Sequence, residues 1–163
     1  MPKPTSYICT KCNFKGSTLP LWGEHSYLVN GHEIPVNRDV AVCYGCNSIV
    51  SVEVLPSSER VKELESSLSR ATEMFYEGEK QRLVALENRK SPARCLECGS
   101  IDFEIIPDVK TDNGSPNRNL PVRTGLFHRE CGGRIYAEFR TPYYVIGEAA
   151  KRIFSIEGIE LTK

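Results

Sequence analysis

Four pairs of potential metal ligands constrain the fold of this chain more than any other sequence feature. In each pair two cysteines, or a histidine and a cysteine, stand three residues apart, and together the pairs contain all seven cysteines. The pairs are Cys9 with Cys12, Cys43 with Cys46, Cys95 with Cys98, and His128 with Cys131. At this spacing both side chains can bind one tetrahedral ion from a tight turn, and zinc prefers thiolate and imidazole ligands. The sequence therefore predicts two sites with four ligands each.

The residues that follow the pairs are suited to such turns. These positions hold Asn13, Asn47, Gly99 and Gly132. Glycine and asparagine adopt a left-handed backbone at lower cost than other residues do. A sharp bend is therefore predicted after each pair.

Pairs that are neighbours in the sequence are predicted to share a metal ion. The first site then contains Cys9, Cys12, Cys43 and Cys46, and the second contains Cys95, Cys98, His128 and Cys131. Four protein ligands leave no coordination position for water or substrate, so we expect two closed, structural Zn²⁺ sites and no enzyme. Disulfides are the weaker interpretation, because the sequence shows no secretory leader and a reducing, cytoplasmic location is expected.

The remaining sequence divides the chain into four predicted segments of an α+β protein. Residues 1–56 and 93–141 are each predicted to form a small antiparallel β unit around two ligand pairs. Residues 57–92 are predicted to be a long helix that joins the two units, and residues 142–163 a short appended helix or tail. The ligand pairs recur after 85 or 86 residues, which indicates an internal repeat.

Turn and periodicity signals support this division. Asn30 and Gly31 stand between β-prone residues, a strong hairpin signal. One helical stripe has apolar residues spaced by three or four, namely Val61, Leu64, Leu68, Ala71 and Phe75. The stripe weakens near Gly78, where the helix either continues straight or bends. Residues 57–90 could thus pair with a second copy to form a homodimer, or pack on one of the chain's own β units.

The order of ligand turn, β-hairpin, ligand turn and further strand resembles the zinc ribbon, over roughly residues 5–56 and 93–141. This resemblance implies a binding scaffold, because zinc ribbons occur in transcription factors, ribosomal and tRNA-related proteins and interaction adaptors. The four-cysteine set is also similar in spacing to rubredoxins, which would make the first site an iron electron carrier. Asn13 and Asn47 stand where rubredoxins carry glycine, so zinc is the preferred interpretation.

Charge and apolar content favour a protein partner over nucleic acid. Lysine and arginine number 21, as do aspartate and glutamate, whereas a nonspecific nucleic-acid binder usually carries a basic excess. Nucleic acid is the alternative partner, through arginines that recur in the second half: Arg118, Arg123, Arg129, Arg134 and Arg140. No apolar run approaches membrane-spanning length, so no membrane contact is expected.

Overall fold

The computed structural model describes residues 5–68, 80, 82–108, 120–139 and 150–162. In this part of the chain ten strands form three sheets. The strands are β1 (Thr5–Cys9), β2 (Lys15–Ser17), β3 (Glu24–Val29), β4 (His32–Pro35), β5 (Arg38–Cys43), β6 (Ser48–Glu53), β7 (Phe103–Ile105), β8 (Val122–His128), β9 (Gly133–Phe139) and β10 (Lys151–Phe154). The helical segments are a short 3-10 helix (Leu19–Leu21), helix α1 (Ser58–Leu68) and residues 82–87.

One sheet brings together β1 and β2, near the start of the sequence, with β8 and β9 from its second half. Its order is β2-β1-β9-β8, and all neighbours are antiparallel. Cys9 at the end of β1 lies opposite Ile135 in β9. The first ligand pair therefore lies next to the hairpin that carries the last one. We call β1, β2, β8 and β9 the outer ribbon.

A second sheet is formed by strands from the middle of the sequence. Its order is β6-β5-β7, again antiparallel. The β5–β6 hairpin carries the second ligand pair, and Cys95 of the third pair bridges to Val52 in β6. We call β5, β6, β7 and residues 95–98 the inner ribbon.

The third sheet has the order β10-β3-β4. The predicted hairpin at Asn30 and Gly31 is confirmed, because β3 and β4 are antiparallel on either side of these residues, whose φ angles are 49° and 79°. β10 is parallel to β3, with Phe154 opposite Tyr27. Phe154 is buried, so this C-terminal strand completes the sheet and adds to the core.

The two ribbons share one apolar core. Its buried members are Tyr7, Ile135 and Ala137 of the outer ribbon, Val40, Val42 and Ile49 of the inner ribbon, and Ile106 just after β7. Gly16 in β2 lies directly against Ile49, and a Cβ atom at this glycine would overlap the isoleucine side chain. Close packing of this kind joins the ribbons into one unit.

A buried ion pair lies at the open end of the β5–β6 hairpin, away from the turn that carries Cys43 and Cys46. Arg89 donates to both carboxylate oxygens of Glu53, at 2.7 and 2.6 Å, and the two side chains are 1% and 0% exposed. The Tyr27 hydroxyl and the Arg94 backbone N–H also donate to this carboxylate, at 2.6 and 2.8 Å. The network connects β3, β6 and the segment before the third ligand pair.

The predicted α+β architecture, with a long helix joining two ribbons and a C-terminal helix, is wrong. The described residues form mainly strands in three sheets, and both ribbons combine strands from before and after residues 57–92. Residues 151–154 of the predicted C-terminal helix form strand β10. Periodicity misled there because β3, a remote partner in sequence, overrides local helix preference. α1 has 11 residues, while 69–79, which include Gly78, lie outside the described residues.

Candidate metal centres

The eight predicted ligands lie in two groups of four, but their pairing differs from the prediction. One group is Cys9, Cys12, His128 and Cys131, which we call the mixed centre, and the other is Cys43, Cys46, Cys95 and Cys98, the four-cysteine centre. Within each group the ligand atoms all lie within 4.8 Å of one another. The prediction that sequence neighbours share a metal is therefore wrong. The first pair meets the fourth and the second meets the third, so one centre is nested inside the other along the chain.

Strand pairing explains this nesting. β1 is antiparallel to β9, which brings the first pair to the β8–β9 turn, and β5 is antiparallel to both β6 and β7. Closing a longer loop adds little to the entropic cost of folding, because each doubling of loop length costs only about 0.6 kcal/mol. Separation along the sequence is therefore a weak guide to which pairs meet.

The second and fourth pairs lie in turns of the same register. Cys43 is opposite Ser48 across the β5–β6 hairpin, and His128 is opposite Gly133 across the β8–β9 hairpin. In both hairpins the partner is five positions after the first ligand. Each centre therefore combines one such hairpin turn with one ligand pair from elsewhere in the chain.

The predicted left-handed residues are found after three of the four pairs. Asn47, Gly99 and Gly132 have φ angles of 48°, 73° and 66°. Asn13 is described but does not have a positive φ angle. The first pair is therefore followed by a turn of another kind.

The sulfur positions fit a tetrahedral ion and not a disulfide. The Sγ atom of Cys131 lies 3.4 Å from that of Cys9 and 3.5 Å from that of Cys12, and the Cys43 and Cys98 sulfurs are 3.6 Å apart. Zinc–sulfur bonds of about 2.3 Å place the corners of a tetrahedron about 3.8 Å apart. A disulfide needs about 2.05 Å, and all seven thiols are free.

Backbone N–H groups point at the sulfurs of the mixed centre. The N–H of Lys11 donates to Cys9 Sγ at 3.4 Å, and the N–H of Gly133 donates to Cys131 Sγ at 3.3 Å. Burial opposes ionisation of Cys9, but the Lys11 N–H and the neighbouring thiols hold its pKa below the usual value. These dipoles stabilise the thiolate form that binds metal.

The four-cysteine centre contains more strongly desolvated thiols. Burial, ahead of the electrostatic interaction with Cys43, raises the pKa of Cys95 to about 12, and burial also raises the pKa of Cys46. Without a cation these thiols keep their protons at neutral pH. Binding of a divalent metal would replace those protons.

The His128 ring has a defined orientation in the mixed centre. The ring is buried, and its Nδ1 lies 3.2 Å from Cys12 Sγ and 3.3 Å from Cys131 Sγ. Its Nε2 lies 2.7 Å from Asn47 Oδ1. Phe14 stacks on the ring, with 4.2 Å between ring centroids. Nδ1 is therefore the nitrogen that faces the metal position.

Sequence reasoning identified Asn47 only as a turn residue and missed its side chain. Asn47 follows Cys46 of the four-cysteine centre, yet its amide contacts His128 of the mixed centre. Its Nδ2 donates to Glu130 Oε2 at 2.9 Å. One signal for this role is the residue type. After two other ligand pairs the left-handed position holds a glycine, Gly99 or Gly132, whereas Asn47 brings an amide side chain to the same position.

A second contact joins the turns of the two centres. The Arg129 guanidinium lies 3.6 Å from the centroid of the Tyr44 ring and forms a 2.7 Å ion pair with Asp102. The Tyr44 hydroxyl donates to Glu104 at 2.7 Å. Burial, followed by this carboxylate, raises the pKa of Tyr44 to about 12, so the tyrosine is a neutral donor at physiological pH.

Comparison of the chain with protein-family models, curated proteins and solved structures gives no match. In the described residues no helix has both the length and the apolar character needed to cross a membrane.

Proposed function

We propose that this protein is a noncatalytic scaffold with two structural zinc ions that binds a macromolecular partner, and that the partner is a protein. The observation that carries the proposal is the pair of complete donor sets, each with four ligands within 4.8 Å of one another. Bound zinc would supply a tetrahedral cross-link and, with four protein ligands, no open position for a substrate. Free thiols also suit a reducing compartment such as the cytoplasm.

The position of the centres supports a structural role. The mixed centre would join residues separated by 116 to 122 positions, and the four-cysteine centre would join Cys43 to Cys98 across 55 positions. Small β units bury limited apolar surface, and structural zinc compensates for that deficit.

Charge pairing of two arginines in the described residues supports a protein partner. Arg129 pairs with Asp102, and Arg152 pairs with Glu97 and Glu160 at 2.6 and 2.7 Å. Paired cations attract a phosphate backbone weakly. Large apolar side chains are also exposed: Phe127 in β8 is 52% exposed and Ile101, two residues before β7, is 60% exposed. Such groups suit a protein interface.

Nucleic acid is the second candidate because of one face of the β8–β9 hairpin. Arg123 donates to the Tyr136 hydroxyl at 3.1 Å from the opposite strand position, and Arg134 lies 5.7 Å from the opposite Phe127 ring. Aromatic rings beside cations can stack single-stranded bases. The predicted Arg118 and Arg140 lie outside the described residues.

Metal analysis and partner capture test the proposal together. We expect two zinc ions per chain by elemental analysis and native mass spectrometry, and a captured partner that survives nuclease and high salt. Loss of all binding as the salt concentration rises would favour nucleic acid instead. In that case Arg123→Ala and Arg134→Ala should each weaken binding, and the control Arg60→Ala in α1 should not change it. An iron-containing red protein, or a chain without bound metal, would refute the zinc scaffold.

Self-association through residues 57–90 also stays a proposal. Val61 in α1 is buried, and a cleft between α1 and residues 86–91 is lined by Leu55 and Leu86. Sedimentation of the wild type and of Leu64→Lys combined with Leu68→Lys decides the matter. A monomer mass for both would end the homodimer hypothesis.

A further inference from the structure

Asn47 lies between the two candidate centres and belongs to the turn of only one of them. Its backbone follows Cys46 and adopts a φ angle of 48°. Its side chain extends to the other centre, where Oδ1 lies 2.7 Å from His128 Nε2. The residue therefore connects a ligand turn of the four-cysteine centre to a ligand of the mixed centre.

The hydrogen bonds of Asn47 determine where the His128 proton lies. A carboxylate only accepts hydrogen bonds, so the amide nitrogen of Asn47 must face Glu130, at 2.9 Å. The amide oxygen then faces His128 Nε2, and this nitrogen must carry the proton in order to donate. Nδ1 keeps its lone pair and is the atom directed at the Cys12 and Cys131 sulfurs.

We propose that Asn47 is the positioning residue of the mixed centre. It selects the His128 tautomer in which Nδ1 binds metal, and it makes the affinity of this centre depend on the turn of the four-cysteine centre. The inference rests on the proposed metal binding. Outer hydrogen-bond partners of this kind typically change metal affinity by about 10- to 100-fold.

The left-handed backbone alone does not require this side chain. Gly99 and Gly132 provide the same bend in two other ligand turns, with φ angles of 73° and 66°. Glycine at position 47 would keep the backbone conformation and remove only the amide. Asn47→Gly is therefore a direct test, and Asn30→Gly is its matched control, because Asn30 is left-handed at 49° in the β3–β4 turn.

The experiment measures metal affinity at each centre separately. Co²⁺ titration of the full chain, in competition with a chelator, distinguishes the centres because three sulfurs with one nitrogen and four sulfurs absorb differently. We expect Asn47→Gly to lose about 10- to 100-fold in affinity at the mixed centre. The four-cysteine centre, although adjacent to the substitution, should stay within about twofold of the wild type, and Asn30→Gly should change neither centre.

Three results would overturn the inference. They are unchanged metal affinity at both centres, a loss of affinity confined to the four-cysteine centre, and an equal loss of affinity at both centres. The last two results would indicate only a disturbed turn. A measurement on the wild type does not depend on folding of the variant: nitrogen NMR of the zinc-loaded protein should show a protonated His128 Nε2, and metal on Nε2 would refute the proposal. A wild type without metal would refute the proposed function, whereas two bound ions with an unaffected Asn47→Gly would refute only the role of Asn47.

Discussion

The inner and outer ribbons have matching ligand turns but differ at their opposite ends. Each centre has two buried ligands, one half-buried and one exposed, and both hairpin turns have the same register. At the open end of the β5–β6 hairpin Arg38 lies opposite Glu53, and Glu53 forms the buried pair with Arg89. At the far end of the outer ribbon the Thr5 N–H donates to Thr18 Oγ1 at 3.1 Å. Similar ligand turns can therefore be built on strands that are held by quite different interactions.

The largest expected effect comes from adding one methyl group at a glycine in a ligand turn, because the two centres should respond differently to it. A Cβ atom at Gly133 would overlap Cys9 Sγ, a ligand of the mixed centre, whereas at Gly45 it would overlap the Ser100 side chain and lie 3.4 Å from Cys98 Sγ. We expect Gly133→Ala to lose the zinc ion that the mixed centre is proposed to bind. Gly45→Ala should keep both ions and destabilise the fold by about 1–3 kcal/mol.

Zinc content and thermal unfolding of the two variants, measured in parallel, check this prediction. Two tightly bound ions in Gly133→Ala would show that the mixed centre tolerates displacement of Cys9. The contrast between the two ligand turns would then be incorrect.

The next effect concerns the ion pair at the open end of the β5–β6 hairpin. Arg89→Met leaves the Glu53 carboxylate buried without its cation, and breaking a buried pair in this way typically costs about 3–5 kcal/mol. Arg60→Met is the control, because Arg60 pairs with Glu63 on the exposed surface of α1. Urea unfolding should show a change below about 0.5 kcal/mol for the control. A loss below about 1 kcal/mol in Arg89→Met would mean that the inner ribbon does not depend on this network.

The smallest effect is a pH dependence of stability that arises where His25 in β3 contacts Arg38, the first residue of β5. Arg38 donates to His25 Nδ1 at 2.7 Å, and His25 is buried. Burial, followed by the charges of Arg38 and Arg152, lowers the pKa of His25 to about 4, against an unfolded value of about 6.5. Between these values the unfolded chain binds the proton more readily, so stability falls as the pH drops from 6.5 towards 4.

Unfolding measurements at pH 7 and pH 5 isolate this contribution. His25→Gln should lose about 1–2 kcal/mol less than the wild type on acidification, since it has no histidine to protonate. His32→Gln changes an exposed histidine in β4 and should behave like the wild type. Identical acid sensitivity in all three proteins would show that protonation of His25 does not contribute to the pH dependence of stability.

Local chemistry in the sequence was sufficient to identify the ligands and some turns. Ligand spacing, as between Cys43 and Cys46, and the asparagine and glycine of the β3–β4 turn depend only on the backbone conformation of a few neighbouring residues. The choice of partner pairs was not predictable, because it depends on β1 meeting β9 more than 120 positions later. The role of the Asn47 side chain was not predictable either, because Glu130 and His128 approach it only in the folded chain.

The nested order of the ligand pairs has a consequence for synthesis of the chain. Cys12 precedes His128 by 116 residues, so at about 5–20 residues per second it waits about 6–23 s for its partner to be translated. During that interval the nascent chain already displays Cys9, Cys12, Cys43 and Cys46, which together form a complete but non-native set of zinc ligands. A zinc ion captured by that set must later exchange its thiolates before either ribbon can close. If the chain binds zinc as proposed, the speed of metal exchange, and not only metal affinity, would enter its folding.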